Sequence, residues 1–367
     1  MGIKHLMDLI RTYAPSAIKE YDSIEQLVGR TVAIDASMAL YQSLVSIRHM
    51  GTQLTDAEGN TTSHLVGLFY RSVRLITNNI KPVFVFDGKP PDLKSDELQK
   101  RKERRAEAEQ KLADALETGD QDEINKYARR TVSLDPNQVQ ECQKMLTLMG
   151  IPWLVAPSEA EAECAALTAA NIVDATATED MDALAFNSPI LIRHLSPKQS
   201  STDKILEINL ATVLEETGLS RESFVDLCIL CGCDYCDHIK GIGYKKAFEL
   251  IKQHKTLEKV IQNINLEKYP IPENFDYETA RKLFFEHPVD TTFKPKWEAP
   301  KSAELIDFMV KEKGFREANV THAIEKIKKA RQGGHQTSLQ SFFSTVPKTK
   351  KTKAPEEPAK KTTKKKK

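Results

Sequence analysis

TVAID (residues 31–35), followed by ASMALYQSLVSI (36–47), is a short apolar, β-branched run that ends in an acid and leads into a helical pattern. A strand that feeds directly into a helix is typical of a parallel sheet with helical crossovers. Three further runs lead into acids in the same way: PVFVF (82–86), IPWLVA (151–156) and DATAT (174–178). Strands that alternate with helices therefore predict an α/β fold with a largely parallel sheet.

Acidic side chains follow each of the four predicted strands. In open α/β sheets, ligands bind at the carboxyl ends of the strands. We therefore expect six carboxylates to converge on one edge: Asp35, Asp87, Glu159, Glu161, Asp180 and Asp182. Packed carboxylates repel one another unless a cation neutralises them, and oxygen ligands favour Mg²⁺ or Mn²⁺ over zinc. Two such ions can activate a water and stabilise the leaving oxygen of a phosphodiester.

Each acid also has a purely structural interpretation. A single aspartate after a strand is often a turn residue or a helix N-cap. Ser158 to Glu161 fits the S-x-x-E capping box, and Asp180 and Asp182 could cap the helix that follows them. A structural role can explain any one of these acids. It does not explain why six of them, which repel one another, would gather at one edge of the sheet.

A basic segment follows the second acid: KPPDLKSDELQKRKERRAEAEQKLADAL (89–116). It predicts a helix over 95–116 with almost no apolar face, which either bridges solvent or orders on a partner. Lys94 and Arg101 are two helical turns apart and share one side, which Arg104 and Arg105 extend. These cations could cover a scissile phosphate beside the acids. The alternative is a solvated helix with internal ion pairs.

A second phosphate-binding pattern lies in GCDYCDHIKGIGYKKAF (232–248). Gly241 and Gly243 before a helix start are typical of a helix-hairpin-helix turn, whose backbone N–H groups can approach a phosphate. Three lysines flank the turn: Lys240, Lys245 and Lys246. The segment predicts binding to a duplex backbone, and Asp234 adds a seventh acid.

The net charge of +1, from 53 basic and 52 acidic side chains, argues at face value against a nucleic-acid binder. The charge is segregated, however. Residues 348–367 hold ten Lys and two Glu and carry +8, so residues 1–347 carry −7. The tail is predicted to be disordered and to serve nuclear targeting or loose contact with a polyanion; a merely solubilising tail is the alternative.

The cysteines and the apolar runs bear on the compartment. Cys228, Cys231, Cys233 and Cys236 are too closely spaced for a zinc knuckle. They are interpreted as small buried thiols in a reducing compartment, which predicts a chain inside the cell. No run approaches the roughly 18 apolar residues of a membrane span, and charges interrupt the start of the chain, so no secretory signal is expected.

The chain resembles the flap endonucleases, the structure-specific 5′ nuclease family that removes 5′ flaps in DNA replication and repair. The resemblance covers roughly residues 1–343 and rests on ordered motifs: MGIKHL (1–6), AIDASMALYQ (33–42), VFVFDGKPPDLKSDEL (83–98), KRKERRAEAE (100–109), APSEAEAE (156–163), ATEDMDALAF (177–186) and GCDYCDHIKGIG (232–243). It implies a 5′-nuclease (PIN-like) fold: a twisted, mostly parallel β-sheet flanked by helices, with a helical arch over the active site.

The resemblance also implies roles for individual residues. Two Mg²⁺ ions, or Mn²⁺ in their place, would be held directly or through water by Asp35, Asp87, Glu159, Glu161, Asp180, Asp182 and Asp234. Lys94 and Arg101 would stabilise the scissile phosphate, and Tyr41 would stack on a base. Phosphate contacts are implied for Arg48, Arg71, Arg104, Arg105, Lys126, Arg129 and Arg130.

The hairpin 239–247 would grip the downstream duplex, helped by a bound K⁺. The chain departs from the family at two positions. His238 stands where a small hydroxyl residue is usual, which puts a side-chain K⁺ ligand in doubt. Asn187 replaces the usual glycine after ALAF (183–186), without an obvious catalytic consequence.

A peptide motif near the end of the chain points to a protein partner. QTSLQSFF (336–343) fits the sliding-clamp (PCNA) motif Q-x-x-L-x-x-F-F, with Gln336, Leu339, Phe342 and Phe343 at its key positions. The three apolar residues lie at i, i+3 and i+4, so one helical turn presents them to a groove. The alternative is a C-terminal packing turn.

These patterns predict an organisation of the chain. Residues 1–332 form a nuclease core, divided into an N-terminal nuclease region with the start of the arch (1–105), an arch connection (106–140), a second nuclease region with the hairpin (141–260) and a C-terminal helical part (261–332). Residues 333–347 carry the clamp peptide, and 348–367 form the tail. The short 106–140 connection favours a flap enzyme over relatives with a long insertion.

The predicted function is Mg²⁺-dependent hydrolysis of the phosphodiester at the base of 5′ flaps, with 5′–3′ exonuclease activity. It would serve Okazaki fragment maturation and base excision repair on 5′-flap and nicked DNA. The resemblance implies a monomer, up to three per clamp ring, in the nucleus with nucleolar or mitochondrial pools. Rival interpretations are a catalytically silent DNA-binding adaptor, a related 5′ exonuclease and an RNA-directed nuclease.

Overall fold

A computed structural model describes residues 2–46, 48–49, 52–53, 59, 61–195 and 203–332, with the backbone alone at 46, 48–49 and 52–53. By its contacts the chain divides into two units, Met1–Ala330 and Arg331–Lys367, and every described strand belongs to the first. The clamp motif 336–343 and the basic tail lie outside the described residues, as does the side chain of Arg48. The finer subdivision of the core stays a prediction.

The main sheet has seven strands in the order β1-β9-β8-β7-β2-β5-β6. Its strands are β1 (Ile18–Tyr21), β2 (Thr31–Asp35), β5 (Lys81–Phe86), β6 (Trp153–Val155), β7 (Ala175–Ala177), β8 (Ile190–Arg193) and β9 (Ile205–Asn209). Strands β6, β5, β2, β7 and β8 are parallel, and β9 joins antiparallel to both β8 and β1. Strands β3 (Arg48–His49) and β4 (Thr52–Gln53) form a separate antiparallel pair.

Fifteen α-helices are seen in the described residues. They are α1 (Leu6–Tyr13), α2 (Ala36–Ser46), α3 (Ser63–Thr77), α4 (Ser95–Thr118), α5 (Gln121–Arg130), α6 (Pro136–Leu148), α7 (Ala160–Ala169), α8 (Asp182–Ala185), α9 (Leu210–Thr217), α10 (Arg221–Cys231), α11 (Tyr244–His254), α12 (Leu257–Asn263), α13 (Tyr277–Phe285), α14 (Ser302–Ile306) and α15 (Glu317–Gln332). In the described part of the chain, no helix is both long and apolar enough to cross a bilayer.

Successive side chains of a strand point to opposite faces, and strands β2, β5 and β7 are buried on both faces along nearly their whole length, as is usual in a parallel sheet. On β5, Phe84 and Phe86 pack in one cluster with residues of α3, α6 and α15. Val83 and Val85 point to the opposite face and pack with residues of α7. A third cluster joins α1, α8, α10, α11, α12 and α13. Because helices cover both faces, the open positions for a ligand lie at the strand ends.

The predicted fold class is confirmed. All four predicted strands exist, and the charged helix predicted over 95–116 is α4, in which only Ala108 and Ala115 are buried. The antiparallel edge made by β8, β9 and β1 was not predicted. Its strands are short, and their pairing partners are far apart in sequence, with Ile18 opposite Ile208.

Candidate active site

The predicted acids meet at the carboxyl ends of the parallel strands. Asp35 ends β2, Asp87 follows β5, and Glu159 with Glu161 lies at the start of α7 after β6. Of the other three acids, Asp180 lies between β7 and α8, Asp182 is the first residue of α8, and Asp234 follows α10. Six of the seven line one groove of about 1010 Å³, and the seventh, Asp182, is buried beside it.

The loop after β5, which carries Asp87, lies close against the loop between β6 and α7. The Gly88 N–H donates to the Ser158 carbonyl at 2.6 Å, and a Cβ on Gly88 would lie 2.0 Å from the Ala156 carbonyl oxygen. Only glycine therefore fits this crossing. Asp87 then reaches the first turn of α7, where its Oδ1 accepts from the Ala160 N–H at 2.9 Å.

This contact corrects the capping-box interpretation of Ser158 to Glu161. Glu159, not Ser158, is the N-cap residue of α7, and its side chain makes no cap bond. Ser158 Oγ donates instead to the Lys89 carbonyl at 2.9 Å. An aspartate from another loop satisfies the helix N-terminus, which leaves Glu159 and Glu161 free to face the groove.

Lys94 lies among the acids. Its ammonium pairs with Glu159, lies 3.7 Å from Glu161 Oε1 and 3.9 Å from Asp234 Oδ2. Burial by itself lowers the pKa of Lys94, but the charges of Glu161, Glu159 and Asp234 outweigh it and raise the pKa. Arg101, two turns along α4, pairs with Asp234 and with Glu97 at 3.1 Å. Lys94 and Arg101, the two cations predicted to lie on the arch, thus contact the acids directly.

Two further residues support Glu159. The buried Tyr235 hydroxyl donates to Glu159 Oε2, and the Glu159 N–H donates to His287 Nε2 at 3.4 Å. Tyr235 and His287 both pack against Phe186. The sequence reasoning missed both. Tyr235 could have been found from its place beside Asp234 in the DYC motif, whereas no local pattern marks His287.

The start of the chain is also part of the site. The Ile3 N–H donates to Asp182 Oδ1 at 2.7 Å. Gly2 has φ +73°, and a Cβ there would lie 1.8 Å from Asp180 Oδ1, so the backbone at Gly2 occupies space that no side chain could share. The motif MGIKHL contributed to the resemblance, but its position beside the acids was not predicted.

Burial and mutual repulsion hold several of the acids towards their neutral form. Burial, then the charge of Asp87, raises the pKa of Asp35 to about 7. Burial also raises the pKa of Glu161 and of Asp182 well above the usual range, and the charge of Asp180 adds to it in both cases. Carboxylates with raised pKa values gain most from an added cation.

The donor set suits a hard divalent cation. The converging groups are carboxylates, and Asp182 Oδ2 is buried with no hydrogen-bond partner. No three His, Cys, Asp or Glu side chains among the described residues are arranged around a common ion position. The carboxylate oxygens are therefore of the right chemical type for a hard divalent cation, although they do not form a coordination shell.

The arch forms the other wall of the groove. Its two helices, α4 and α5, pack together and meet at Gly119. Lining residues predicted to contact DNA are Tyr41, Arg104, Arg105 and Arg130. Lys126 and Arg129 are exposed on α5 outside the lining. Arg71 lies behind Asp35, where its Nη2 donates to Gln42 Oε1 at 2.9 Å.

The predicted hairpin connects α10 to α11. Gly241 has φ +84°, and Gly243 caps α11 with open space where a Cβ would stand. Lys245 is exposed, and Lys246 lies 4.9 Å from the centre of the Tyr269 ring. His238 Nδ1 is 3.0 Å from Lys4 Nζ. The backbone at the start of α11 is thus accessible to an anion.

The mostly parallel sheet, its acidic edge and the helical arch define the structure-specific 5′-nuclease class. Residues 1–108 match the family model of the XPG N-terminal domain, and residues 150–234 match that of the XPG I-region. Flap endonuclease 1 of Nematostella vectensis is 50% identical over 349 residues, 95% of this chain and 92% of that protein. Flap endonuclease 1 of Homo sapiens is 49% identical over 348 residues, 94% of this chain and 91% of that protein.

Solved structures agree with the fold. Flap endonuclease-1 from Methanococcus jannaschii superposes with a TM-score of 0.67 at 34% identity, over 85% of this chain and 96% of that one. The catalytic core of Rad2 in complex with DNA substrate has the same fold, with a TM-score of 0.70 at 24% identity over 89% and 100% of the two chains. The chain belongs to the flap endonuclease 1 family. It is an enzyme, a structure-specific nuclease.

The raised pKa of Asp35 makes a testable prediction about the metal-free protein. Between pH of about 4 and about 7 the folded state keeps a proton that the unfolded state releases near 3.8, so this group destabilises the fold as the pH rises. Replacing it by Asn should therefore stabilise the protein increasingly across that window, by up to about 4 kcal/mol. Urea unfolding in a chelator at several pH values measures the difference.

The control is Glu109→Gln, which replaces an exposed acid on α4 and should follow the parent protein at every pH. A stability gain for Asp35→Asn that does not grow between pH of about 4 and about 7 would contradict the assignment.

Proposed function

We propose that this protein is a Mg²⁺-dependent structure-specific DNA endonuclease that hydrolyses the phosphodiester near the base of a 5′ flap, and that it also has 5′–3′ exonuclease activity. Support comes above all from one observation: seven carboxylates converge at one sheet edge with two cations of the arch among them. Relatives named flap endonuclease 1, with about 50% sequence identity over nearly the whole chain, support the proposal that the substrate is a DNA flap.

The seven acids are the proposed ligands of two Mg²⁺ ions, for which Mn²⁺ can substitute. Ions bound there would supply the chemistry that activates a water and stabilises the leaving oxygen of the phosphodiester. The protein's part is to hold the carboxylates in place. Met38 N–H and the Thr178 hydroxyl donate to Asp35 at 2.9 and 3.0 Å, and Ala160 N–H holds Asp87.

Lys94 and Arg101 are proposed to bind the scissile phosphate. Both are anchored on the arch and both contact the acids, so they lie where a phosphate must come to reach the site. Their ion pairs balance part of the negative charge before DNA binds, and a phosphate can take over those contacts because it is itself an anion. Charge that develops on the phosphate in the transition state is then stabilised by groups already in position.

The groove and the hairpin suggest how DNA is held. Tyr41 faces the groove with 38% of its surface exposed, which suits stacking on a base. Arg104, Arg105 and Arg130 line the same groove and suit phosphates. The start of α11 with Lys245 and Lys246 suits the backbone of the downstream duplex. A K⁺ ion bound at this hairpin is part of the proposal. The His238 side chain lies beside Lys4, so it is not free to act as a ligand of that ion.

The remaining proposals concern partners and cell context. QTSLQSFF (336–343) is proposed to tether the enzyme to the PCNA clamp as a monomer, with up to three copies per ring. The lysine-rich tail supports a nuclear location, with nucleolar or mitochondrial pools. Okazaki fragment maturation and base excision repair are the proposed pathways. The domain boundaries drawn from the sequence, with a core over 1–332, belong to the same proposal.

Asp180→Asn tests the metal assignment. The amide keeps the size and the oxygen that accepts from the Asp182 N–H at 3.0 Å, so the fold should survive while a charged ligand is lost. Cleavage of a labelled 5′ flap with Mg²⁺ should fall by about a hundred-fold or more, with flap binding within a few-fold. Calorimetric titration with Mg²⁺ in the absence of DNA should show weakened binding.

The matched control is Asp174→Asn. Asp174 stands at the opposite end of β7, where it accepts from the Thr31 N–H at 2.7 Å, and its replacement should leave cleavage close to that of the parent. Near-normal turnover by Asp180→Asn would refute the proposed ligand.

Replacing Lys94 or Arg101 by Ala tests the proposed phosphate contacts. Single-turnover cleavage should slow by about a hundred-fold or more, and flap affinity should change much less, because the contacts strengthen only as charge develops. Lys102→Ala, at an exposed position on the same helix, is the control and should cleave normally. Equal losses in rate and affinity would instead indicate that the two cations only position the phosphate.

Replacing Phe342 and Phe343 together by Ala tests the clamp motif. Calorimetry should show loss of binding to the isolated clamp, since the two rings supply most of the apolar surface of the motif. Flap cleavage without the clamp should not change. Thr337→Ala, at an unconstrained position of the motif, should bind normally, and unchanged clamp affinity of the double variant would refute the motif.

A further inference from the structure

Cys233 and Cys236 form a C-x-x-C pair that the proposed chemistry does not use. Their sulfurs are 3.9 Å apart. Both residues are partly exposed, so the expectation from the sequence that they are buried was wrong for this pair. The other four cysteines, Cys142, Cys164, Cys228 and Cys231, are buried. Since all six cysteines of the chain are described, this pair combines proximity to a second thiol with access to solvent.

Both thiols line a second groove, of about 750 Å³, together with Lys100 and His238. A small oxidant can therefore reach either sulfur. A disulfide needs the sulfurs at about 2.05 Å, so closure requires them to approach by about 2 Å. Residues 232–239 lie outside helices and strands, which allows local adjustment by side-chain and backbone rotation.

The two residues between the thiols are the ones that reach the acid cluster. Asp234 pairs with Arg101 and lies 3.9 Å from Lys94 Nζ. The Tyr235 hydroxyl donates to Glu159. A bond between Cys233 and Cys236 would enclose both residues in one small ring, so the backbone that sets their directions could not close without moving.

The flanks of this segment are held in place. The Lys4 N–H donates to the Gly232 carbonyl at 3.1 Å on one side. On the other side, the Asp237 N–H donates to the Asn274 carbonyl at 3.2 Å, and its carboxylate pairs with Lys100 at 3.0 Å. Because both ends are anchored, the change on ring closure falls on the residues between them, Asp234 and Tyr235.

We propose that Cys233 and Cys236 are an oxidation site at which a peroxide closes a reversible disulfide and thereby slows the nuclease. The slowing rests on the proposed function, whereas the disulfide does not. Disulfides in reducing compartments are usually transient and redox-sensing, which matches thiols that stay reduced until oxidant arrives.

The chemistry balances with hydrogen peroxide as the oxidant. One thiol attacks a peroxide oxygen, the O–O bond breaks, and the products are a sulfenic acid and one water. The second thiol then attacks the sulfenic sulfur, the S–O bond breaks, and a second water leaves as the disulfide forms. Two thiols are oxidised and one peroxide is reduced. A dithiol reductant reverses the step by thiol–disulfide exchange.

The first test is chemical. The full chain is reduced, desalted, treated with hydrogen peroxide, blocked with N-ethylmaleimide and mapped by mass spectrometry. We expect a peptide in which Cys233 and Cys236 are joined, lighter by two hydrogens, and disappearance of the bond after dithiothreitol. If both thiols remain alkylated by N-ethylmaleimide after peroxide, the site is refuted.

The second test is functional. Flap cleavage with Mg²⁺ should slow by about ten-fold or more after peroxide, since groups that position ligands carry effects of this size, and dithiothreitol should restore it. Cys236→Ala should resist a peroxide dose that just completes the disulfide in the parent. Cys231→Ala, which changes a buried neighbour in the same motif, should respond as the parent does.

The outcomes separate the two proposals. If the reduced enzyme does not cleave flaps, the proposed function fails while the mapped disulfide can still form. If the reduced enzyme cleaves but the disulfide leaves its rate unchanged, or if Cys236→Ala is slowed as much as the parent, the proposed control of the acid site is overturned.

Discussion

Electrostatic repulsion among buried acids is the constraint on which the rest of this structure depends. Seven carboxylates share one edge of the sheet, and burial, together with the charges of neighbouring acids, raises the pKa values of Asp35, Glu161 and Asp182. Charges removed from water need partners. Lys94 supplies one by entering the cluster, and there each charge compensates the burial of the other. Removing either side would leave an uncompensated buried charge, which is more costly than losing a surface ion pair.

That constraint explains how several distant segments come to one place. Helix α4 buries only Ala108 and Ala115, so apolar burial contributes little to its position, and the contacts of Lys94 and Arg101 with the acids anchor its first half. The chain start contributes the Ile3 N–H to Asp182, and the segment after α10 contributes Tyr235 to Glu159. A bound metal, a bound phosphate or a disulfide between Cys233 and Cys236 would each change the contacts that these acids make with Lys94, Arg101 and Tyr235.

Much of the fold and the site was predictable because the signals are local. A strand with two buried faces is apolar throughout, as PVFVF (82–86) is, and its end is marked by the next acid. The charged helix after Asp87 was predicted to within two residues at its C-terminal end. The capping box at Ser158 was wrong because a carboxylate from another loop, Asp87, took the cap. The edge strand β1 was missed because its partner β9 lies almost two hundred residues away.

The sequence by itself determined which chemistry is available: the strand-ending acids, the cations of the arch and the glycines before α11 are all written in short motifs. It also carried the family resemblance, because those motifs keep their order along the chain. Only the tertiary structure decided that Lys94 pairs with Glu159, that Gly2 lies against Asp180, and that Cys233 and Cys236 face a groove. The reason is physical: residue type and spacing specify local conformation, whereas burial and long-range charge pairing exist only once the whole chain has packed.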